Sequence, residues 1–229
     1  MRLYLDCADH KEWEKWAETG IFYGFTTNPT ILKRDGIECT IPSMRKLTRH
    51  AFDLGMEELQ LQAWGSTMPE LYSCGLDLIE LDSRVVVKIP MTMEGIKAAR
   101  RLIDDGVSVT MTAVHSVHQA ATGMALGAAY IAPYLGRMND AGKNGYDDIL
   151  KMQTIVAMSE TLDETSSQTR LLVASIRSAE DISILAAGGC DTFTVSPLVA
   201  NQLVSDPMTL EAAELFQEHA LEMGAIRDQ

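Results

Sequence analysis

Basic residues are in short supply: 19 Lys and Arg stand against 32 Asp and Glu, a net charge of -13 over 229 residues. A surface this acidic repels polyanions, which argues against nucleic acid as a partner. It does not exclude a small phosphate held by one or two local arginines. Apolar runs long enough to span a membrane are absent. The opening Met1 to Asp6 shows no basic segment followed by an apolar region, so the expectation is a soluble, cytoplasmic protein without a membrane partner. Only four cysteines occur, Cys7, Cys39, Cys74 and Cys190, with no Cys-x-x-Cys pair. Neither a disulfide framework nor a zinc site is expected from them. A histidine pair, His115 and His118, lacks a third ligand, so no metal is expected. Linkers, low-complexity stretches and composition shifts are missing as well, so residues 1–205 are read as one domain and 206–229 as an appended helix.

What is present is alternation. Eight short apolar or β-branched runs, at 3–6, 22–26, 59–63, 84–89, 108–113, 129–134, 170–176 and 192–196, read as strands. Helical patterns with start and stop signals separate them. Thr92 is placed to cap a helix whose apolar side runs Ile96, Ala99, Leu102 and Ile103 before Gly106, and Ser178 does the same ahead of Ile182 and Leu185. Eight such units in a chain of this size predict an α/β fold, a (β/α)8 TIM barrel. An open doubly wound sheet is the other candidate, but no Gly-x-Gly-x-x-Gly turn follows the first strand.

Strand parity then sorts the side chains, because alternate residues face opposite ways. Leu59, Leu61 and Ala63 oppose Gln60 and Gln62; Val109, Met111 and Ala113 oppose Ser108, Thr110 and Thr112; Phe193 and Val195 oppose Thr192, Thr194 and Ser196. Placing the apolar sets outward against helices leaves the polar sets pointing at the barrel axis. In the run Arg84 to Thr92 this turns Val86 and Lys88 inward. A lysine shielded from water holds its proton less tightly, and such an amine is suited to attack a carbonyl. An ordinary lysine is neutral in only about one molecule in a few thousand at pH 7. Other polar residues gather at the same strand ends: Asp6, Asn28, Gln62, Thr112, Tyr134 and Ser175, with Arg137 and Arg177 shortly after the sixth and seventh strands. The carboxyl end of such a barrel is where catalytic groups collect.

Four stretches carry a resemblance: Gly24 to Leu32 (GFTTNPTIL), Val85 to Ala98 (VVVKIPMTMEGIKA), Ala132 to Arg137 (APYLGR) and Val173 to Ser178 (VASIRS). With the opening Leu3 to Asp6, they resemble the small transaldolase family that includes fructose-6-phosphate aldolase. The resemblance implies a cofactor-free enzyme in which Lys88 forms an imine with a keto sugar and Asp6 acts as acid and base. Gln62 and Thr112 then hold the water of imine formation and hydrolysis. Thr27 and Asn28 bind substrate hydroxyls, Arg137, Ser175 and Arg177 bind the phosphate, and sugar phosphates are the small-molecule partners. Gln62 and Tyr134 match the aldolase branch, where Glu and Phe mark transaldolases; a buried phenol can protonate the enamine. The expectation is therefore cleavage of fructose 6-phosphate to dihydroxyacetone and glyceraldehyde 3-phosphate. The alternative is transfer of the dihydroxyacetone unit to an aldose phosphate, as in the pentose phosphate pathway. Cys7, His115 and Ile176 depart from the family pattern, and Gly136 stands where the aldolase branch has Asn and is in that respect closer to the transaldolases.

Two further readings stay open: another lysine aldolase, which would need a second lysine such as Lys97 nearby, and a phosphosugar-binding barrel without catalysis. The segment Asp206 to Gly224 repeats Leu210, Ala213, Phe216, Ala220 and Met223 at helical spacing. The resemblance implies that this helix packs on a neighbouring subunit of a homo-oligomeric ring, a pentamer or decamer.

Overall fold

The computed structural model describes residues 1–160 and 169–225. Positions 161–168, within the expected segment 1–205, and 226–229, at the end of the expected tail, lie outside the described residues. The elements run β1 (Arg2–Asp6), α1 (His10–Ala17), β2 (Gly24–Thr26), α2 (Pro29–Arg34), α3 (Ile41–Asp53), β3 (Glu58–Gln62), α4 (Met68–Ile79), β4 (Val85–Pro90), α5 (Met93–Asp104) and β5 (Val109–Val114). They continue through α6 (Val117–Leu126), β6 (Tyr130–Pro133), α7 (Leu135–Asp140), α8 (Gly145–Glu160), β7 (Arg170–Val173), α9 (Ala179–Ala187), β8 (Thr192–Val195), α10 (Pro197–Gln202) and α11 (Pro207–Glu222). All strands are parallel and each pairs with its sequence neighbours. β8 closes on β1, with Arg2 opposite Thr192 and Leu5 opposite Val195. This is a (β/α)8 TIM barrel with an extra C-terminal helix, and the closure rules out the open sheet.

Helices start where a short polar side chain can take the first free backbone N–H groups: Asp9 before α1, Asn28 before α2, Thr67 before α4, Thr92 before α5 and Ser178 before α9. Their apolar sides cover the outer faces of the strands. Leu59, Leu61, Val87, Ile89, Val109, Phe193 and Val195 are fully buried there with Trp13, Trp16 and Leu102. Trp13 stacks on Phe25 with centroids 4.3 Å apart, so it serves packing.

The barrel interior differs from a purely polar lining. Tyr4, Val86, Tyr130, Ala132 and Leu172 form a second, separate cluster on the axis. Below it, Glu58 accepts from Tyr4 Oη at 2.9 Å and from Tyr130 Oη at 3.0 Å, and Arg2 donates to Tyr130 Oη at 2.5 Å. These groups satisfy one another and plug the amino end, leaving the carboxyl end as the open one.

In β5 simple alternation fails. Pairing with β6 shifts register between Met111 and Val114, and Ala113 takes a positive φ of 57°. This bulge sends Val114 into the outer core and turns Ala113, expected outside with Val109 and Met111, toward the cavity at the carboxyl end. Ser175, just past β7, has a φ of 58°. A left-handed non-glycine residue costs about 1–2 kcal/mol, and both instances sit at the same end of the barrel.

Candidate active site

Strand register brings the inward polar residues together. Asp6 pairs with Thr26, Gln62 with Lys88, and Lys88 with Thr110. Above these pairs opens a cavity of about 450 Å³, lined by Asp6, Asn28, Gln62, Lys88, Thr112, Tyr134, Arg137 and Ser175 together with Ala113, Ala132, Leu172 and Thr194. That volume lies in the usual range for a small-molecule site.

Lys88 is 4% exposed on β4. Burial pushes its amine below the usual lysine value, and the Asp6 carboxylate opposes that shift by attraction. Desolvation is the larger effect, so this amine gives up its proton more readily than an ordinary lysine. Asp6 in turn is held by Thr26, whose hydroxyl donates to Oδ1 at 2.6 Å and contacts the Thr194 hydroxyl at 2.6 Å. Gln62 cannot rotate freely either. Its Nε2 donates to the Lys88 carbonyl at 2.9 Å and its Oε1 accepts from Thr112 Oγ1 at 3.1 Å.

Tyr134 precedes α7, where its N–H donates to Val114 O at 3.1 Å. Burial and then the Asp6 carboxylate raise its phenol above the ordinary value; contacts with the Ala113 backbone, Arg137 and Thr112 act the other way. The phenol therefore keeps its proton at neutral pH. The His115 ring meets the Tyr134 ring edge-on, with centroids 5.4 Å apart. Asn28 spends Oδ1 on the N–H groups of Thr30 and Ile31, at 2.9 and 3.1 Å, which leaves its Nδ2 donors for a ligand.

Two candidates lie elsewhere. Thr27 is sealed beside the cavity, 1% exposed, with its hydroxyl unpartnered, and Thr26 takes the inward position. Arg177 is exposed at the rim, where Nη2 donates to Asp140 Oδ2 at 2.7 Å, and it does not line the cavity. Gly136 explains how Arg177 packs there: a Cβ would strike the Arg177 guanidinium and the Ser175 backbone. Cys7 and Ile176, two of the departures noted above, point into the outer core. Burial pushes the Cys7 thiol up to about 12, so it is no competing nucleophile. Lys97 is exposed and donates to Glu94 at 2.7 Å, so no second lysine joins Lys88 from that helix. Among the described residues no group of three His, Cys, Asp or Glu side chains is placed to hold a metal ion. Thr194 and Thr26 were not singled out from sequence, although Thr194 lies on the same inward parity of β8 that marks Thr112 on β5.

Residues 3–228 match the family model described as Transaldolase/Fructose-6-phosphate aldolase. The chain belongs to this family. A probable transaldolase of Lactiplantibacillus plantarum is 31% identical over 209 residues, 91% of each chain. One of Hyphomonas neptunium is 30% identical over 232 residues, covering 98% of this chain and 99% of the relative. Among solved structures, a thiamine phosphate pyrophosphorylase from Pyrococcus furiosus superimposes with a TM-score of 0.58 over 85% of each chain at 12% identity, a likeness of fold alone. As a member of the transaldolase/fructose-6-phosphate aldolase family, the protein is an enzyme of the aldolase/transaldolase type.

Proposed function

We propose that the protein is a Schiff-base aldolase that cleaves fructose 6-phosphate to dihydroxyacetone and glyceraldehyde 3-phosphate, and runs the reverse addition. The neutral Lys88 amine adds to the C2 keto group, and loss of water gives an iminium. Asp6 accepts the proton of the C4 hydroxyl as the C3–C4 bond breaks. The bonding pair moves into the iminium, leaving an enamine and free glyceraldehyde 3-phosphate. Tyr134 donates a proton to C3 of the enamine. Water held by Gln62 and Thr112 then adds to C2 and releases dihydroxyacetone and Lys88. Asn28 faces the sugar hydroxyls, and Arg137 with Ser175 faces the phosphate, for which a guanidinium fork and a hydroxyl are matched donors. The observation that carries this reading is the buried, protonated Tyr134 phenol in one cavity with Lys88 and Asp6. A proton donor there ends the enamine's life before a second aldehyde arrives.

The names of the relatives favour a second reading, transfer of the dihydroxyacetone unit to an aldose phosphate. Incubating the protein with fructose 6-phosphate, with and without erythrose 4-phosphate, separates the two. Glyceraldehyde 3-phosphate formed without the acceptor supports the aldolase; strict dependence on the acceptor supports the transaldolase. The ring assembly belongs to the same proposal. α11 buries none of its side chains, and Met208, Leu210, Phe216 and Leu221 are all more than half exposed, a surface suited to a second copy of this chain.

A further inference from the structure

We propose that Asp140 is a specificity-determining residue: it serves as the resident counter-ion of Arg177, and a substrate phosphate must displace it. The inference rests on reading the cavity as a sugar-phosphate site. The backbone of the Arg177 loop is fixed, because Asp181 accepts from Arg177 N at 2.8 Å and Ser178 N at 3.1 Å, and from Tyr146 Oη at 2.7 Å. Only the guanidinium can change partner. Its inner edge crosses the bare backbone of Gly136, where Arg177 Nε and Ser175 Oγ converge on the space a Cβ would occupy. Its outer Nη2 is taken by Asp140. Both side chains are about 60% exposed, at 60% and 59%, so the pair is weak and exchangeable. Asp140 ends the same helix that carries Arg137, which lines the cavity. A negative charge there opposes every phosphate that enters, while an uncharged substrate end does not feel it.

Asp140→Asn tests this without touching a group that meets the reacting carbons. With dihydroxyacetone as donor, the KM for glyceraldehyde 3-phosphate is expected to fall about threefold to fivefold, the most that an exposed pair supports. The KM for glyceraldehyde and kcat for both acceptors stay unchanged, and Asp140→Glu restores the original value. A KM for glyceraldehyde 3-phosphate that is unchanged or higher, or one that moves together with that for glyceraldehyde, overturns the proposal. Titration calorimetry with inorganic phosphate reads the same effect without turnover, so it separates this inference from the aldolase reading. The Asn variant should bind phosphate tighter by the same factor, and adding Arg177→Ala should abolish the gain. Equal phosphate affinity in the two proteins, or no binding by either, contradicts the counter-ion role even if the enzyme proves to be an aldolase.

Discussion

The hydroxyl of Thr26 donates to the carboxylate of Asp6 at 2.6 Å, across the β1–β2 pair, and Thr194 backs it from β8 at 2.6 Å. Three strands therefore meet at Asp6, the proposed acid/base group, and its orientation is set before substrate arrives. Removing the donor leaves Asp6 free to turn.

Thr26→Val keeps the shape and deletes both hydrogen bonds. A misplacement of catalytic groups by about 1 Å can cost on the order of a hundredfold, so kcat should fall tenfold or more while KM changes little. Stability should drop by about 1–3 kcal/mol, because Thr194 is left without its partner in a buried place. Steady-state kinetics and thermal melts of the variant check both.

Lys88→Met should abolish activity yet stabilise the fold at neutral pH. The sign follows from the shift: burial lowers the folded-state value below the usual 10.5, so the unfolded chain binds more protons between the two values. The destabilisation from Lys88 is complete below the folded-state value and vanishes as pH rises through 10.5. Denaturant melts should therefore show the Met variant ahead by about 1 kcal/mol or more at pH 7, with the gap closing toward pH 10.5. A gap that widens with pH would contradict the buried, deprotonating lysine.

Tyr134→Phe should divide the two activities. Without the phenol the enamine waits for a second aldehyde, so cleavage without acceptor should fall about a hundredfold while transfer to erythrose 4-phosphate survives. The measured quantity is the ratio of the two rates. An unchanged ratio removes Tyr134 from the proton path.

Much of this geometry follows from parity and some of it cannot. Lys88, Gln62 and Thr112 face the axis because their strands alternate regularly up to those residues. Ala113 escapes the rule because a bulge inserts one residue into β5, and a bulge leaves no mark in a run of Val, Thr, Met and Ala. Thr26 ends a three-residue strand and Thr27 follows it directly, so the two are indistinguishable until pairing of Thr26 with Asp6 on β1 fixes which one faces inward. The Arg177 guanidinium points where it does because Asp140 lies 37 residues away in sequence but 2.7 Å away in space. The network of Glu58, Tyr4 and Tyr130 is likewise a product of closure, since its members come from three separate strands.

Gly136→Asn should weaken phosphate recognition. Its Cβ would push into the Arg177 guanidinium and the Ser175 backbone, so the KM for phosphorylated substrates should rise about tenfold, the loss of roughly one charge-assisted hydrogen bond. Unphosphorylated acceptors should be spared. Paired KM measurements decide it.

Truncation after Asp206 should reduce the particle mass in light scattering while leaving the barrel folded by circular dichroism. An unchanged mass would mean that α11 covers nothing in a neighbouring copy.

The central claim is that Lys88 forms an imine with a keto sugar. Borohydride reduction of the protein in the presence of fructose 6-phosphate, followed by peptide mass analysis, reads it directly. The account predicts a covalent sugar adduct on the peptide that contains Lys88, absent from Lys88→Met. No adduct, or an adduct that persists in the Met variant, would contradict it.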